Sequence, residues 1–453
     1  RSELGDKQGA IADYNKAIEL QPDYAFAYSN RGNVRSELGD KQGAIADYNK
    51  AIELQPDYAF AYSNRGNVRS ELGDKQGAIA DYNKAIELQP DYAFAYSNRG
   101  NVRSELGDKQ GAIADYNKAI ELQPDYADAY GNRGNVRDEL GDKKGAIADY
   151  NKAIELQPDL ALAYINRGSV RSELGDKQGE IADYNKAIEL QPDYALAYNN
   201  RGLVRSELGD KKGAIADYNK AIELQPDYAD AYYNRGNVRS ELGDKQGEIA
   251  DYNKAIELQP DLAQAYNNRG KVRDELGDKQ GAIADYNKAI ELQPDLAFAY
   301  GNRGKVRSEL GDKQGAIADY NKAIELQPDL AFAYGNRGKV RSELGDKQGA
   351  IADYNKAIEL QPDLAFAYGN RGNVRSELGD EKGAIADLNK AIELQPDLAQ
   401  AYANRGIVRS KLGDKKGVLE DLQKAAQLFK AQGQMAYYEK AMELWYKVIV
   451  TTG

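Results

Sequence analysis

Between residues 40 and 55 the apolar side chains Ala44, Ile45, Tyr48, Ala51 and Ile52 follow one another at intervals of 1, 3, 3 and 1. That spacing winds them into one stripe of an amphipathic helix. The pattern stops at Pro56, which cannot continue a helical hydrogen-bond ladder, and Asp57 is expected to cap the next helix start with its side-chain oxygen. In the stretch before it, Ala27, Tyr28, Gly32 and Leu38 also recur at helical spacing, and Gly39-Asp40 supplies a residue tolerant of left-handed backbone followed by a polar turn. Thirty-four residues thus predict two antiparallel helices joined by a tight turn.

The same wording then returns. AFAYSNRGNVRSELGDKQGAIADYNKAIELQPDY occurs three times in succession without change, at 25–58, 59–92 and 93–126. Full units start at 25, 59, 93, 127, 161, 195, 229, 263, 297, 331, 365 and 399, after a partial unit at 1–24. A strict 34-residue period means that each unit buries its apolar stripe on its neighbours, so the length of the chain counts repeats, not globular domains. The expected fold is an all-α solenoid of antiparallel helix pairs over 25–432. The end departs from the pattern: LFKAQGQMAYYEKAMELWYKVIV has no proline and holds the sole tryptophan, Trp445. Roughly 418–431 reads as a slightly extended second helix and 434–449, within the segment 433–453, as a helix capping the last apolar face. Docking of a partner or self-association through the ends is the alternative use of that apolar content.

These residues resemble the tetratricopeptide repeat family over essentially all of 1–432. Family positions 4, 8, 20, 24, 27 and 32 are matched in the first full unit by Tyr28, Gly32, Ala44, Tyr48, Ala51 and Pro56. The resemblance implies a right-handed superhelix whose concave face is lined by the first helix of each pair, and near-identical repeats of this wording look similar to those of cyanobacterial proteins. Two departures stand out. Positions 7 and 11, usually apolar in the family, are arginines such as Arg31 and Arg35, which are expected to meet carboxylates such as Asp47 or to reach solvent. Glu180 and Glu248 replace the small residue at position 20 and should either loosen their units or pair with a neighbouring arginine.

Composition narrows the function. With 72 acidic against 61 basic side chains the net charge is −11, which argues against a general nucleic-acid binder. There is no cysteine and no histidine, which removes disulfides, thiolate and imidazole metal sites and every scheme built on an imidazole base. No enzyme activity, metal or cofactor is expected. No run approaches the roughly 18 apolar residues of a membrane span, and the missing cysteines fit a reducing, cytoplasmic setting. Arg1 opens part-way through a repeat, so a larger protein is expected, and arrays of this family are commonly fused to proteases or nucleotide-hydrolysing domains.

Positions 2, 6, 9 and 13 form a stripe of the first helix separate from its packing stripe. Position 6 is asparagine in all twelve units: Asn30, Asn64, Asn98, Asn132, Asn166, Asn200, Asn234, Asn268, Asn302, Asn336, Asn370 and Asn404. An amide carries two donors and an acceptor and can bracket a peptide bond; the row is similar to the asparagine ladder of O-GlcNAc transferases. Inheritance by duplication, or capping of a local turn, is the plainer account. Position 2 carries Phe26, Phe60, Phe94, Phe298, Phe332 and Phe366, as an apolar track or as covers for the junction to the preceding unit. The middle units replace it with Asp128, Leu162, Leu196, Asp230 and Gln264. At position 9, Asn33, Asn67 and Asn101 give way later to Lys271, Lys305 and Lys339, a row that attracts an acidic segment unless the glutamates at position 13 neutralise it. Position 5 is never lysine, so the family's carboxylate clamp is not expected. A protein or peptide ligand is the expected partner, with selectivity in 127–296, because identical units cannot read different side chains. A structural spacer, or the sensor arm of a larger enzyme, are the alternatives.

Overall fold

The structure is a computed structural model that describes residues 6–450. Among the described residues it is wholly helical, twenty-six helices in sequence from Lys7–Leu20 to Met435–Val450, paired as a repeat solenoid. Two compact bodies are distinguished, one ending at Pro226 and one starting at Asp227. In each, first helices such as Ala25–Glu37 and Ala263–Glu275 alternate with second helices such as Lys41–Leu54 and Lys279–Leu292.

The turn between the two helices of a unit is fixed by its own residues. Gly39 takes φ 86°, a conformation that a side chain disfavours. The carboxylate of Asp40 then accepts the backbone N–H of Gly43 at 2.9 Å and caps the second helix. The cap therefore belongs to Asp40 and not to Asp57: the first helix of the next unit starts after Tyr58 without a side-chain cap, because the turn after Pro56 presents a tyrosine at the capping position. Leu38 also departs from expectation. It lies beyond the last turn of its helix at the point where the chain reverses, and it is exposed, not part of the packing stripe.

The core of each unit is small. Ala27, Val34, Ala44, Tyr48 and Ala51 are buried, and Gly32 lets the Tyr48 ring approach so closely that a Cβ there would lie 2.8 Å from it. Alanines and glycine bring the helices together, and one tyrosine ring fills the space between them.

The arginines complete this core with charge. Arg31 forks onto buried Asp47 through Nε at 2.9 Å and Nη2 at 2.5 Å, sends Nη1 to Asn15 of the preceding unit at 2.7 Å, and lies over the Tyr28 ring. Arg35 donates to the same carboxylate at 2.9 Å. The arrangement recurs down both bodies, for example at Arg133, Arg137 and Asp149 and at Arg337, Arg341 and Asp353. Bidentate, charge-assisted bonds of this type are the form in which a buried carboxylate is tolerated. Glu180 and Glu248 are buried too, yet they pair with Lys177 at 3.3 Å and Lys245 at 3.4 Å, one helical turn earlier, and not with an arginine. The arginines nearby are already committed to Asp183 and Asp251.

At the carboxyl end the second helix lengthens to Lys415–Ala431. The final helix, Met435–Val450, sets Ala441 into a cluster with Ala399, Ala425, Ala426 and Phe429. It leaves Tyr437 and Tyr446 more than half exposed. No helix is long and apolar enough to cross a membrane among the described residues.

Candidate functional site

The first helices present the stripe singled out above, and the structure assigns its asparagines an additional task. The Asn33 Oδ1 accepts two hydrogen bonds: from the Tyr48 hydroxyl of its own unit at 2.8 Å and from the Asn64 amide of the next unit at 3.0 Å. The same three-residue junction forms around Asn67 with Tyr82 and Asn98, around Asn101 with Tyr116 and Asn132, around Asn135 with Tyr150 and Asn166, and around Asn237 with Tyr252 and Asn268. In these units the position-6 amide donates across the repeat boundary; the Asn268 carbonyl oxygen in turn accepts from Asn267 at 3.1 Å. Burial pushes the Tyr48 hydroxyl well above the usual tyrosine range, with Asp47, Glu71 and Glu37 adding to the effect, so it remains a donor.

Where position 9 is not asparagine the junction changes. The Tyr184 hydroxyl turns to Ser169 at 3.3 Å and is pushed up to about 12 by burial, against hydrogen bonds from Ser169 and Asn200. Asn302 reaches Asn267 at 3.2 Å. The junction also changes after Asn373, where Leu388 stands in place of the tyrosine: Asn404 there accepts from Gln400 at 2.9 Å. Asn336 and Asn370 follow units with Lys305 and Lys339 and have no hydrogen-bond partner among the described residues. Asn30 follows the partial unit, and Asn234 is bonded as well.

The phenylalanines fall into two groups. Phe26, Phe60, Phe94 and Phe298 are about half exposed. Phe60 packs on Tyr92 with ring centres 4.9 Å apart and Phe94 on Tyr126 at 6.1 Å, and Tyr92 meets Phe94 at 6.5 Å. The result is an aromatic ladder from Phe60 to Tyr126, over two of the three identical units. Phe332 and Phe366 are more enclosed, because their rings settle over Gly301 and Gly335 of the preceding unit, where a Cβ would lie 2.6 and 2.5 Å away. Serine at the corresponding positions 29 and 63 leaves no such seat. Amides and rings share one groove: a cleft of 290 Å³ between successive first helices has Asn67, Glu71, Tyr82, Phe94, Asn98 and Glu105 in its walls.

Of the lysines at position 9, Lys305 binds Asp274 at 2.8 Å and approaches Glu309 at 3.7 Å. Lys271 and Lys339 are exposed and make no ion pair among the described residues. The position-13 glutamates are engaged by lysines of the preceding unit, Glu173 by Lys143 at 2.7 Å and Glu343 by Lys313 at 3.1 Å. Sequence reasoning found the asparagine row and missed its cross-boundary bond. The spacing could not single it out, because a tyrosine fifteen and an asparagine thirty-one residues later also follow position 9 where it is Lys271, Lys305 or Lys339.

No curated protein matches the chain. Among solved structures, the crystal structure of the APC/C hetero-tetramer Cut9-Hcn1 is 16% identical over 90% of this chain and 94% of its own, with a TM-score of 0.51, a likeness of fold. The crystal structure of YrrB, described as a TPR protein with an unusual peptide-binding site, is 27% identical over 41% of this chain and 95% of its own, with a TM-score of 0.36. That of the MamA protein is 28% identical over 38% and 93%, with a TM-score of 0.34. Family models described as TPR repeat match residues 2–39, 32–73, 66–107, 181–209, 205–243 and 372–413. Those described as tetratricopeptide repeat match 93–126, 127–160, 263–296, 297–330 and 331–364, and also 161–194 and 229–262. With matches along nearly its whole length, the chain belongs to the tetratricopeptide repeat family.

Proposed function

We propose that the chain is a non-catalytic scaffold that holds a polypeptide along the face of its first helices, the phenylalanines taking apolar side chains and the asparagine carbonyls accepting main-chain N–H groups. The observation that carries this reading is the groove in which half-exposed Phe94 stands beside Asn67 and Asn98. A row of exposed rings is costly to leave in water, and the ladder from Phe60 to Tyr126 repeats that cost at each unit. Panning a displayed peptide library on the full chain tests it. Peptides enriched on the wild type should carry apolar side chains and should be lost on the triple variant Phe26→Ala, Phe60→Ala, Phe94→Ala, whose changes lie at exposed positions. Retention of every enriched peptide by the triple variant refutes the proposal.

A second reading, a spacer arm, draws on the junction bonds, since amides spent on neighbouring units stiffen the array. Removing residues 59–126, two identical units, separates the two: a spacer shortens without losing affinity for any peptide, whereas a groove loses affinity with the length it contacts.

A further inference from the structure

A repeat array stays in solution when its terminal helix turns a polar face outward. The final helix, Met435–Val450, departs from that rule. Its residues Glu439, Glu443, Tyr446 and Val450 are spaced by 4, 3 and 4 and share one stripe, on the side away from buried Ala441. Tyr446 is 58% and Val450 77% exposed, and Ile449 beside them is exposed as well. The Tyr446 ring stands edge-on to Trp445, with ring centres 5.2 Å apart, so this ridge is held in place. Next to it lies a hollow: a trough of 370 Å³ between the last three helices, with Ile407, Val418, Leu422, Leu444, Lys447 and Val448 in its walls. Two departures from the repeat shape the trough. Leu422 stands where Tyr48 and Tyr82 place a ring, and Ile407 where Asn33 and Asn67 place an amide.

We propose that the final helix is a dimer contact, packed antiparallel against the same helix of a second copy about a two-fold axis at the level of Trp445. What selects a second copy is self-complementarity. A two-fold contact requires one patch to carry both halves of its own match, and here an apolar ridge and an apolar hollow lie side by side on one helix. The charges agree. Glu443 and Lys447 sit one turn apart, pair within the helix, and are 64% and 67% exposed. Antiparallel packing sets Glu443 against Lys447 of the second copy, and the reverse, so four charges close a square of alternating sign. A parallel arrangement would set like against like. The same packing brings Tyr446 opposite Leu444 of the second copy, a wall of its trough, where a rigid ring can seat as an interface anchor. Each helix of sixteen residues is about 24 Å long, which gives a contact of the small, reversible class, under about 1,200 Å² in total. The contact is independent of what the first helices hold.

Sedimentation velocity of the full chain over a range of concentrations tests it. The mass should rise to that of two chains, and no further, as concentration increases. Tyr446→Ala should raise the dissociation constant about tenfold or more. Glu443→Lys and Lys447→Glu should each be monomeric alone, because each gives this pair of positions a single sign, and an equimolar mixture of the two should recover the dimer. Both positions are more than half exposed, so neither change disturbs the fold, which far-ultraviolet circular dichroism checks. A wild type that stays monomeric throughout, a dimer indifferent to Tyr446→Ala, or a mixture no more associated than its parts overturns the proposal. Growth beyond two chains overturns the two-fold axis.

Discussion

Asp149 is the residue whose removal should be felt most within its unit. Its carboxylate is 4% exposed and receives Arg133 Nε at 2.9 Å, Arg133 Nη2 at 2.6 Å and Arg137 Nη1 at 2.9 Å. Asp149→Asn keeps the shape and withdraws the charge, leaving two guanidinium groups facing a neutral amide. Breaking a fully buried pair costs roughly 3–5 kcal/mol. Here Arg133 is 14% and Arg137 26% exposed, Arg133 keeps Asn117, and Arg137 keeps Asp142 at 3.7 Å, so solvent and remaining partners place the loss near the lower end, about 3 kcal/mol. Because a repeat array opens locally instead of all at once, the assay is hydrogen exchange followed by mass spectrometry on the peptide 127–142, whose wording occurs in no other unit. About 3 kcal/mol corresponds to roughly a hundredfold loss of protection. A variant that removes all three charges, Arg133→Met/Asp149→Leu/Arg137→Met, should recover most of it, since a charge-free core has no ion left unpaired. A fall of under about fivefold in Asp149→Asn, or a triple variant as weak as the single one, refutes the claim that this network is held by mutual neutralisation.

Asn101→Leu leaves the Tyr116 hydroxyl and the Asn132 amide without their acceptor and should cost about 1–3 kcal/mol in urea unfolding. Gly100→Ala would place a methyl 2.8 Å from the Tyr116 ring and should lower stability by about 1–3 kcal/mol through overpacking, read as a lower thermal midpoint. Glu180 is held above the usual carboxylate range, chiefly by burial and against Ser172 and Lys177. A raised folded-state value means the contribution of the group is fully present below its unfolded value and is lost as pH rises through the folded one. Glu180→Ala, the residue that most other units carry there, should therefore stabilise the chain at pH 7, with a gain that fades as pH falls through the carboxylate range; a constant gain across pH 4–7 in thermal unfolding would contradict it.

The helix pairs could be read directly because the determinants are local and repeated: apolar stripe, Gly39 turn and Pro56 stop each act within a few residues. The carboxylate partner of Arg31 and Arg35 was legible for a related reason, since buried guanidinium groups demand one and Asp47 faces them from the second helix. What escaped depended on competition between groups of similar chemistry. Asp40 and Asp57 both flank turns, and only the geometry shows that the first of them meets a free backbone N–H. Glu180 has arginines within reach of its unit, yet Asp183 had already claimed them. One-letter spacing ranks neither contest.

The asparagine row shows the same limit with a functional consequence. Constancy at position 6 suggested a gripping amide, but an amide can satisfy a neighbour and a guest with different atoms. The bond from Asn98 to Asn67 consumes an N–H and leaves the Asn98 oxygen, so what position 6 could offer a ligand depends on position 9 of the unit before it together with the tyrosine of that junction, which Leu388 replaces after Asn373. Asparagine there, with its tyrosine, closes the junction. Lysine cannot accept, so the bond to the next asparagine is lost, and Lys305 turns to Asp274. The units at 59–126 carry exposed rings in a ladder from Phe60 to Tyr126, whereas Phe332 and Phe366 in later units are more enclosed. Selectivity in this chain is then expected from the residue that decides whether each junction is satisfied from within, which extends it past the variable middle units to stretches that otherwise read as copies of one another.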